Sequence, residues 1–266
     1  MALMDSTRRP TFIETPHQVQ RLSLMTYNMQ VGICTRHAGD YLVQCWRHLL
    51  PPLTRTRHLE PVADMLQGQD LIAIQETDAG SFRTRSVNLL HYLAERAEYP
   101  YWHLHQHRNL APLARHAMGL MSRFEPTLVT AHSLPGRLPG RAAVLYRLST
   151  NLTVVVTHLA LSRNDRYRQL DYIGKLLAQD EHVILMGDLN CSYDELLAHP
   201  LLRERGFHGP ADELHSFPSW RPNRQLDHVL VTPGFRILAA EAMPFCWSDH
   251  LPVRIELALP PGVALT

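Results

Sequence analysis

The sequence has almost no lysine: Lys175 is the only one, and all other basic side chains that stay charged are arginine. That bias fits a GC-rich coding sequence and excludes nothing about the fold. A surplus of one sign of charge is also missing, since 26 basic residues face 25 acidic ones. No global field announces a polyanion partner, although a local basic groove remains compatible with this balance. The four cysteines, Cys34, Cys45, Cys191 and Cys246, form no C-x-x-C pair, so they read as free thiols in a reducing compartment. No apolar run is long enough to span a bilayer, and the first ten residues, M-A-L-M-D-S-T-R-R-P, lack the apolar stretch of a secretory signal. The expected location is cytoplasmic, without stable membrane insertion, and no protein partner can be inferred. No repeat or low-complexity segment appears.

What is present is a series of short apolar runs that stop at polar residues. Residues 1–20 read as an extension, and a single domain is expected over 21–266. Val183–Asn190, V-I-L-M-G-D-L-N, reads as a buried strand that stops abruptly. Period-two alternation would put Asp188 and Asn190 on one side of its C-terminal end. Further strands are expected at 21–28, 70–75, 99–107, 117–122, 127–133, 142–148, 152–157, 225–232, 235–241 and 253–259. Apolar residues at helical spacing predict helices over 41–50, 56–66, 82–97, 163–179 and 193–198. Residues 108–116 read as a basic loop, and 206–224 as an irregular, Pro-rich loop on the substrate side. His103, His105 and His107 would share one strand face. Neighbours on such a face lie about 7 Å apart, awkward for a shared metal, so they read as a polar rim. The mixture of hairpins and helical crossovers predicts mixed sheets with helices outside.

Six of these strands carry polar or ionisable groups at or beside an end: Asn28, Glu76, His158, Asp188 with Asn190, Asp227, and Asp249 with His250. If the ends converge, they form a pocket of carboxylates, imidazoles and amides. Packed carboxylates do not all ionise without a cation. The oxygen-rich set suits Mg²⁺ or Mn²⁺ better than Zn²⁺. T-Y-N at Thr26–Asn28, Q-E at Gln75–Glu76, T-H-L at Thr157–Leu159, G-D-L-N at Gly187–Asn190, L-D-H at Leu226–His228 and S-D-H-L-P at Ser248–Pro252 occur in this order. In these motifs the chain resembles the endonuclease/exonuclease/phosphatase superfamily.

The resemblance implies an α/β (α+β) four-layer sandwich, two mixed β-sheets packed face to face with helices on both outer faces. It implies metal-dependent phosphoester hydrolysis, most simply that of a phosphodiesterase or nuclease. Carried over, Glu76 would be the main metal ligand, with Asn28 beside it and Asp249 as a second or outer carboxylate. Asp188 and Asn190 would hold the attacking water and a phosphoryl oxygen. His158 would contact the phosphate or protonate the leaving oxygen, and His250, oriented by Asp227, would be a base or a phosphate ligand. Whether Asp188 or His250 takes the water's proton stays open. His228 stands where many members have an aromatic residue and reads as a spare donor or as nothing.

Substrate contacts are expected from Arg123, Trp220 and Arg221, and the loops 108–115 and 217–224 are expected to flank the pocket. The expected partner is a phosphoester: DNA, RNA or a nucleotide. A lipid headgroup or small phosphorylated metabolite would keep the same centre and change only the rim. A non-catalytic binding module on this fold is disfavoured, because no member of the set is missing.

Overall fold

The computed structural model describes residues 20–35, 37, 39, 40, 50 and 55–265. The expected helix over 41–50 and the extension over 1–20 therefore lie outside the described residues, except at Leu50 and Gln20. Gln20 is tied into the fold: its carbonyl accepts the Leu259 N–H at 2.9 Å, and its Nε2 donates to the Leu265 carbonyl at 3.1 Å.

Among the described residues, eleven strands build two mixed sheets. The first contains β1 (Arg21–Asn28), β2 (Leu71–Asp78), β3 (Tyr101–Leu110), β4 (Ala114–Ser122), β10 (Arg236–Ala242) and β11 (Val253–Ala258), in the order β10-β11-β1-β2-β4-β3. The second contains β5 (Leu128–Ser133), β6 (Ala142–Ser149), β7 (Leu152–His158), β8 (His182–Asp188) and β9 (Asp227–Val231), in sequence order. Each sheet has one parallel pair, β1 with β2 and β7 with β8; all other neighbours are antiparallel.

Alternation explains how the layers form. In β1, Leu22 and Leu24 enter the core between the sheets, while Met25 and Tyr27 enter a second core with α1 (Arg55–Leu66) and α2 (Leu89–Arg96). In β8, Ile184 and Met186 face the other sheet, whereas Val183 and Leu185 pack with α3 (Arg163–Leu176), α4 (Tyr193–Leu197) and α5 (Pro200–Glu204). A strand buried on both faces has to be apolar throughout, and each buried Leu, Ile or Val contributes roughly 1.5–3 kcal/mol. Four layers result, as the motifs imply. Among the described residues, no helix is long and apolar enough to cross a membrane.

Three expectations are corrected. The helix expected over 82–97 starts only at Leu89. Arg85 and Ser86 sit at φ 54° and 63°, which a right-handed helix does not allow, and Asn88 Oδ1 caps α2 by accepting the His91 N–H at 3.1 Å. The basic loop expected over 108–116 is mostly strand: β3 and β4 run on as a hairpin, and only 111–113 turn. Polar, exposed side chains hid this two-stranded extension, because no core requires it to alternate. The strand expected over 70–75 continues to Asp78 by absorbing a bulge, with the β2–β4 register shifting between Ile74 and Thr77.

The cysteines Cys34, Cys191 and Cys246 are free thiols, as expected, while Cys45 lies outside the described residues.

Candidate active site

The centre is built where the parallel pairs end. At Gly187, φ is 143°, and a Cβ there would lie 1.9 Å from the Thr157 carbonyl oxygen. Only glycine lets β8 approach β7 this closely. One residue later comes Asp188. Register pairs it with His158 on β7 and with Asp227 on β9, and paired residues share a face of the sheet. The three polar groups thus stand side by side on adjacent strands.

The first sheet faces this row through Asn28. Its Nδ2 donates to Asp188 Oδ2 at 3.0 Å and to Glu76 Oε1 at 3.2 Å, while its Oδ1 accepts the Gln30 N–H at 3.1 Å. Asn28 therefore bridges the two carboxylates across the sheets. Asn28 thus stands beside Glu76, and its Oδ1, which accepts the Gln30 N–H, keeps a second lone pair. Glu76 sits in the bulge of β2 at φ 51°. A left-handed glutamate is strained, and such strain clusters at functional sites. The bulge aims Glu76 out of the ladder into the cleft.

Asp188 Oδ2 also lies 3.3 Å from His158 Nε2 and 3.8 Å from His250 Nε2. Burial opposes its ionisation, but the two imidazoles and the Asn28 amide outweigh that and hold the carboxyl well below the usual carboxylate range. The hydrogen bond expected between Asp227 and His250 is present, with Nδ1 donating to Oδ2 at 2.7 Å. Ser216 Oγ donates to the same oxygen at 2.6 Å. Burial disfavours charge on His250, yet Asp227 and Asp188 override it and lift the imidazole to about 10. Asp188, Asp227 and His250 lie close enough together to resemble a metal site. The 2.7 Å contact is a charge-assisted hydrogen bond, however, and a cation there would have to displace its proton.

Asn190 does not continue the strand as expected. It is left-handed, at φ 56°, its N–H donates to Asp188 Oδ1 at 3.1 Å, and its Nδ2 donates to the Leu159 carbonyl at 2.9 Å. It holds the turn that presents Asp188. Asp249 is half-buried and joins the site through Ser248, whose Oγ donates to the Asn28 carbonyl at 2.7 Å and lies 3.1 Å from Asp249 Oδ1.

His228 is structural. Buried in β9, its Nε2 donates to the Cys191 carbonyl at 2.8 Å, and burial pushes it down to about 4. Below the unfolded value of about 6.5 the unfolded chain binds the extra proton first. Stability contributed by neutral His228 is thus complete above that pH and lost as pH falls towards 4, a change of roughly 3 kcal/mol. We expect His228→Gln to flatten the fall of the urea midpoint across this window; a curve parallel to that of wild type would refute the assignment.

Beside the centre lies a cleft of about 390 Å³ lined by Glu76 and His158 and walled by His107, Arg108, His116 and Arg141. Burial, with neighbouring cations adding to it, pushes His107 down to about 3 and His116 to about 4, so the wall's positive charge rests on its arginines. Of the three histidines expected on one strand face as a polar rim, His107 lines the cleft, whereas His103 packs on the Tyr146 ring and a register shift between Gln106 and Arg108 interrupts the face. Phe217 packs on the His250 ring at 4.9 Å, which brings the 217–224 hairpin to the centre. Trp220 and Arg221 sit in its turn and do not line the cleft. Arg123 is corrected: it follows β4 at the Leu71 end of β2, opposite Glu76, where it donates to the Gln69 carbonyl at 3.0 Å and stacks over Tyr99.

Arg141 and His116 were not singled out from sequence. Each stands at the start of an antiparallel strand, and the start of an antiparallel strand lies at the same edge as the end of its neighbour. Polar residues before strands were the signal to read together with those after them.

Two mixed sheets packed face to face, with carboxylates, an amide and imidazoles gathered where the parallel strands end, define a sandwich of the phosphoester-hydrolase class. The chain belongs to the endonuclease/exonuclease/phosphatase family, whose pattern matches residues 25–250; members of that family hydrolyse phosphoesters. Solved structures share the fold at low identity. A family protein from Bacteroides thetaiotaomicron is 14% identical, with a TM-score of 0.65 over 91% of this chain and 99% of its own. One from Beutenbergia cavernae is 20% identical, with 0.62 over 92% and 74%. A mannosyl-6-phosphatase of B. thetaiotaomicron is 14% identical, with 0.61 over 89% and 99%. No curated protein matches the chain by sequence.

Proposed function

We propose that this protein is a divalent-metal-dependent phosphodiesterase in which an activated water attacks phosphorus. The observation that carries this reading is the environment of Asp188: one buried carboxylate within 3.0 Å of Asn28 Nδ2, 3.3 Å of His158 Nε2 and 3.8 Å of His250 Nε2.

The donor set fits a hard cation. Glu76 and Asp249 offer carboxylate oxygens that are only half-buried, the ligand type a hard cation takes. These two residues would hold Mg²⁺ or Mn²⁺, which when bound polarises a phosphoryl oxygen and neutralises charge developing on the leaving oxygen. The protein groups do the rest. Asp188, held ionised, accepts the proton of the attacking water as the P–O bond forms. His250, protonated and fixed by Asp227, donates to a non-bridging oxygen and stabilises the phosphorane. His158 donates to the leaving oxygen as its bond to phosphorus breaks. Asn190 fixes the backbone beneath Asp188. Arg108 and Arg141 supply charge complementary to the substrate anion. The identity of the esterified group, for which the sequence suggests nucleic acid or a nucleotide, is decided by the rim, because the centre touches only the phosphoester.

The test is hydrolysis of a generic phosphodiester with Mg²⁺, with Mn²⁺ and with chelator. Activity should require the metal and vanish on chelation. Full turnover by chelator-treated protein would overturn the reading.

A further inference from the structure

Of the nine exposed large apolar side chains among the described residues, Leu138 and Leu161 line the cleft, and Phe82, Leu110 and Leu113 lie at the tip of the β3–β4 hairpin, whose Arg108 and His116 also line it. Two of these five are almost bare, Leu138 at 80% and Leu161 at 78% exposure. The others adjoin them. The Phe82 N–H donates to the Pro112 carbonyl, and the Arg83 N–H to the Leu113 carbonyl, so Phe82 sits against the tip of the β3–β4 hairpin. That hairpin touches the next loop: a Cβ at Gly140 would lie 3.1 Å from Arg108 Cβ. The apolar tips therefore form one rim across four connecting segments.

The charge of these segments is one-sided. Residues 79–88, 105–116, 134–141 and 159–164 contain seven arginines and neither aspartate nor glutamate; the adjoining Asp78 and Asp165 are buried, and Glu76 and Asp165 lie within the cleft rather than on its rim. Arg83 is buried against Asp78 at 2.6 Å. Arg85, Arg108, Arg137 and Arg163 are exposed, Arg163 also lying 3.9 Å from Glu195. Arg115 and Arg141 are half-buried. Protruding aliphatic side chains among arginines combine an apolar anchor with attraction to anionic headgroups. A nucleic acid would satisfy the arginines and could stack a base on Phe82, but its phosphate backbone offers the four leucines no apolar refuge.

From this we infer that the mouth of the cleft docks on an anionic lipid bilayer. The hydrolysed phosphoester is then one presented at a membrane surface, a step that rests on the catalytic reading above. Docking is peripheral: the leucine tips reach the boundary between headgroups and acyl chains, and the cleft opens onto the headgroups.

The experiment is sedimentation of the full chain with vesicles of phosphatidylcholine alone or mixed with phosphatidylglycerol, in chelator so that binding is read without turnover. Partition should be strong only on the anionic vesicles and weaken with salt. The double variant Leu110→Glu/Leu113→Glu changes exposed residues that do not line the cleft. It should lose about tenfold in partition for each leucine and hydrolyse a soluble phosphodiester as wild type does. Equal partition of variant and wild type, or none by either, would overturn the docking surface. So would binding to a double-stranded oligonucleotide that is tighter than to vesicles and indifferent to the two leucines. Vesicle binding without metal-dependent phosphodiester hydrolysis would instead leave docking in place and sink the catalytic reading alone.

Discussion

An Asp188→Asn variant is expected to fold like wild type and to hydrolyse a phosphodiester about three orders of magnitude more slowly, with the loss in kcat rather than KM. The substitution keeps the shape of the side chain and one oxygen, so the contact from Asn28 Nδ2, 3.0 Å in wild type, can persist. What disappears is the proton acceptor and the negative charge between His158 and His250. Losing a positioned base costs about 10²–10⁴ in rate, and an interaction used only in the transition state lowers kcat without raising KM. Circular dichroism and the urea midpoint report the fold, and single-turnover kinetics report the step. A kcat within tenfold of wild type would remove Asp188 as the base and leave it a structural bridge.

Asp188 was legible in the sequence because its surroundings are local. An apolar run, a glycine and a carboxylate in V-I-L-M-G-D describe a buried strand, a close backbone approach and a strand end, and all three are there. The rest of the site was legible only as a set of strand ends, since what unites Asn28, Glu76, His158 and His250 is the face-to-face packing of two sheets. Sequence spacing does not encode which atom of Asn28 faces the carboxylates; the Gln30 N–H decides that. Nor does it encode the bulge at Glu76, which comes from the pairing of β2 with β4. Arg123 failed for a related reason. A substrate contact is expected of it, but it follows β4, which runs antiparallel to β2, so the last residues of β4 lie at the far edge. The same reversal brings Arg141 and His116, at the starts of β6 and β4, to the cleft. The apolar tips escaped notice because isolated leucines in loops have no periodicity; only their exposure and common location give them meaning.

Asp227→Asn is expected to lower kcat by about two to four orders of magnitude and to move the alkaline limb of the pH–rate profile to lower pH. In wild type one carboxylate oxygen, Oδ2, accepts from His250 Nδ1 at 2.7 Å and from Ser216 Oγ at 2.6 Å. This fixes the ring so that Nε2 points at Asp188, 3.8 Å away. An asparagine can keep its oxygen towards Nδ1, in which case orientation survives and the charge partner is lost. It can instead turn its NH₂ there, in which case Nδ1 becomes an acceptor and the ring is held neutral. Either way the imidazolium loses its strongest support. Burial, which already opposes that charge, then prevails, and the imidazole falls from about 10. The sign follows directly. A proton donor acts below its pKa, so lowering that pKa withdraws activity first at high pH. The stability linkage runs the same way: a raised imidazole contributes fully below about 6.5 and loses its contribution as pH rises through the folded value. The variant should therefore lose its stability advantage at neutral pH and show less change between neutral and alkaline conditions. Losing a carboxylate that fixes an imidazole tautomer accounts for the size of the rate effect. An unshifted alkaline limb with kcat within tenfold of wild type would show that His250 works without Asp227, and His158 would then be the histidine on which turnover depends.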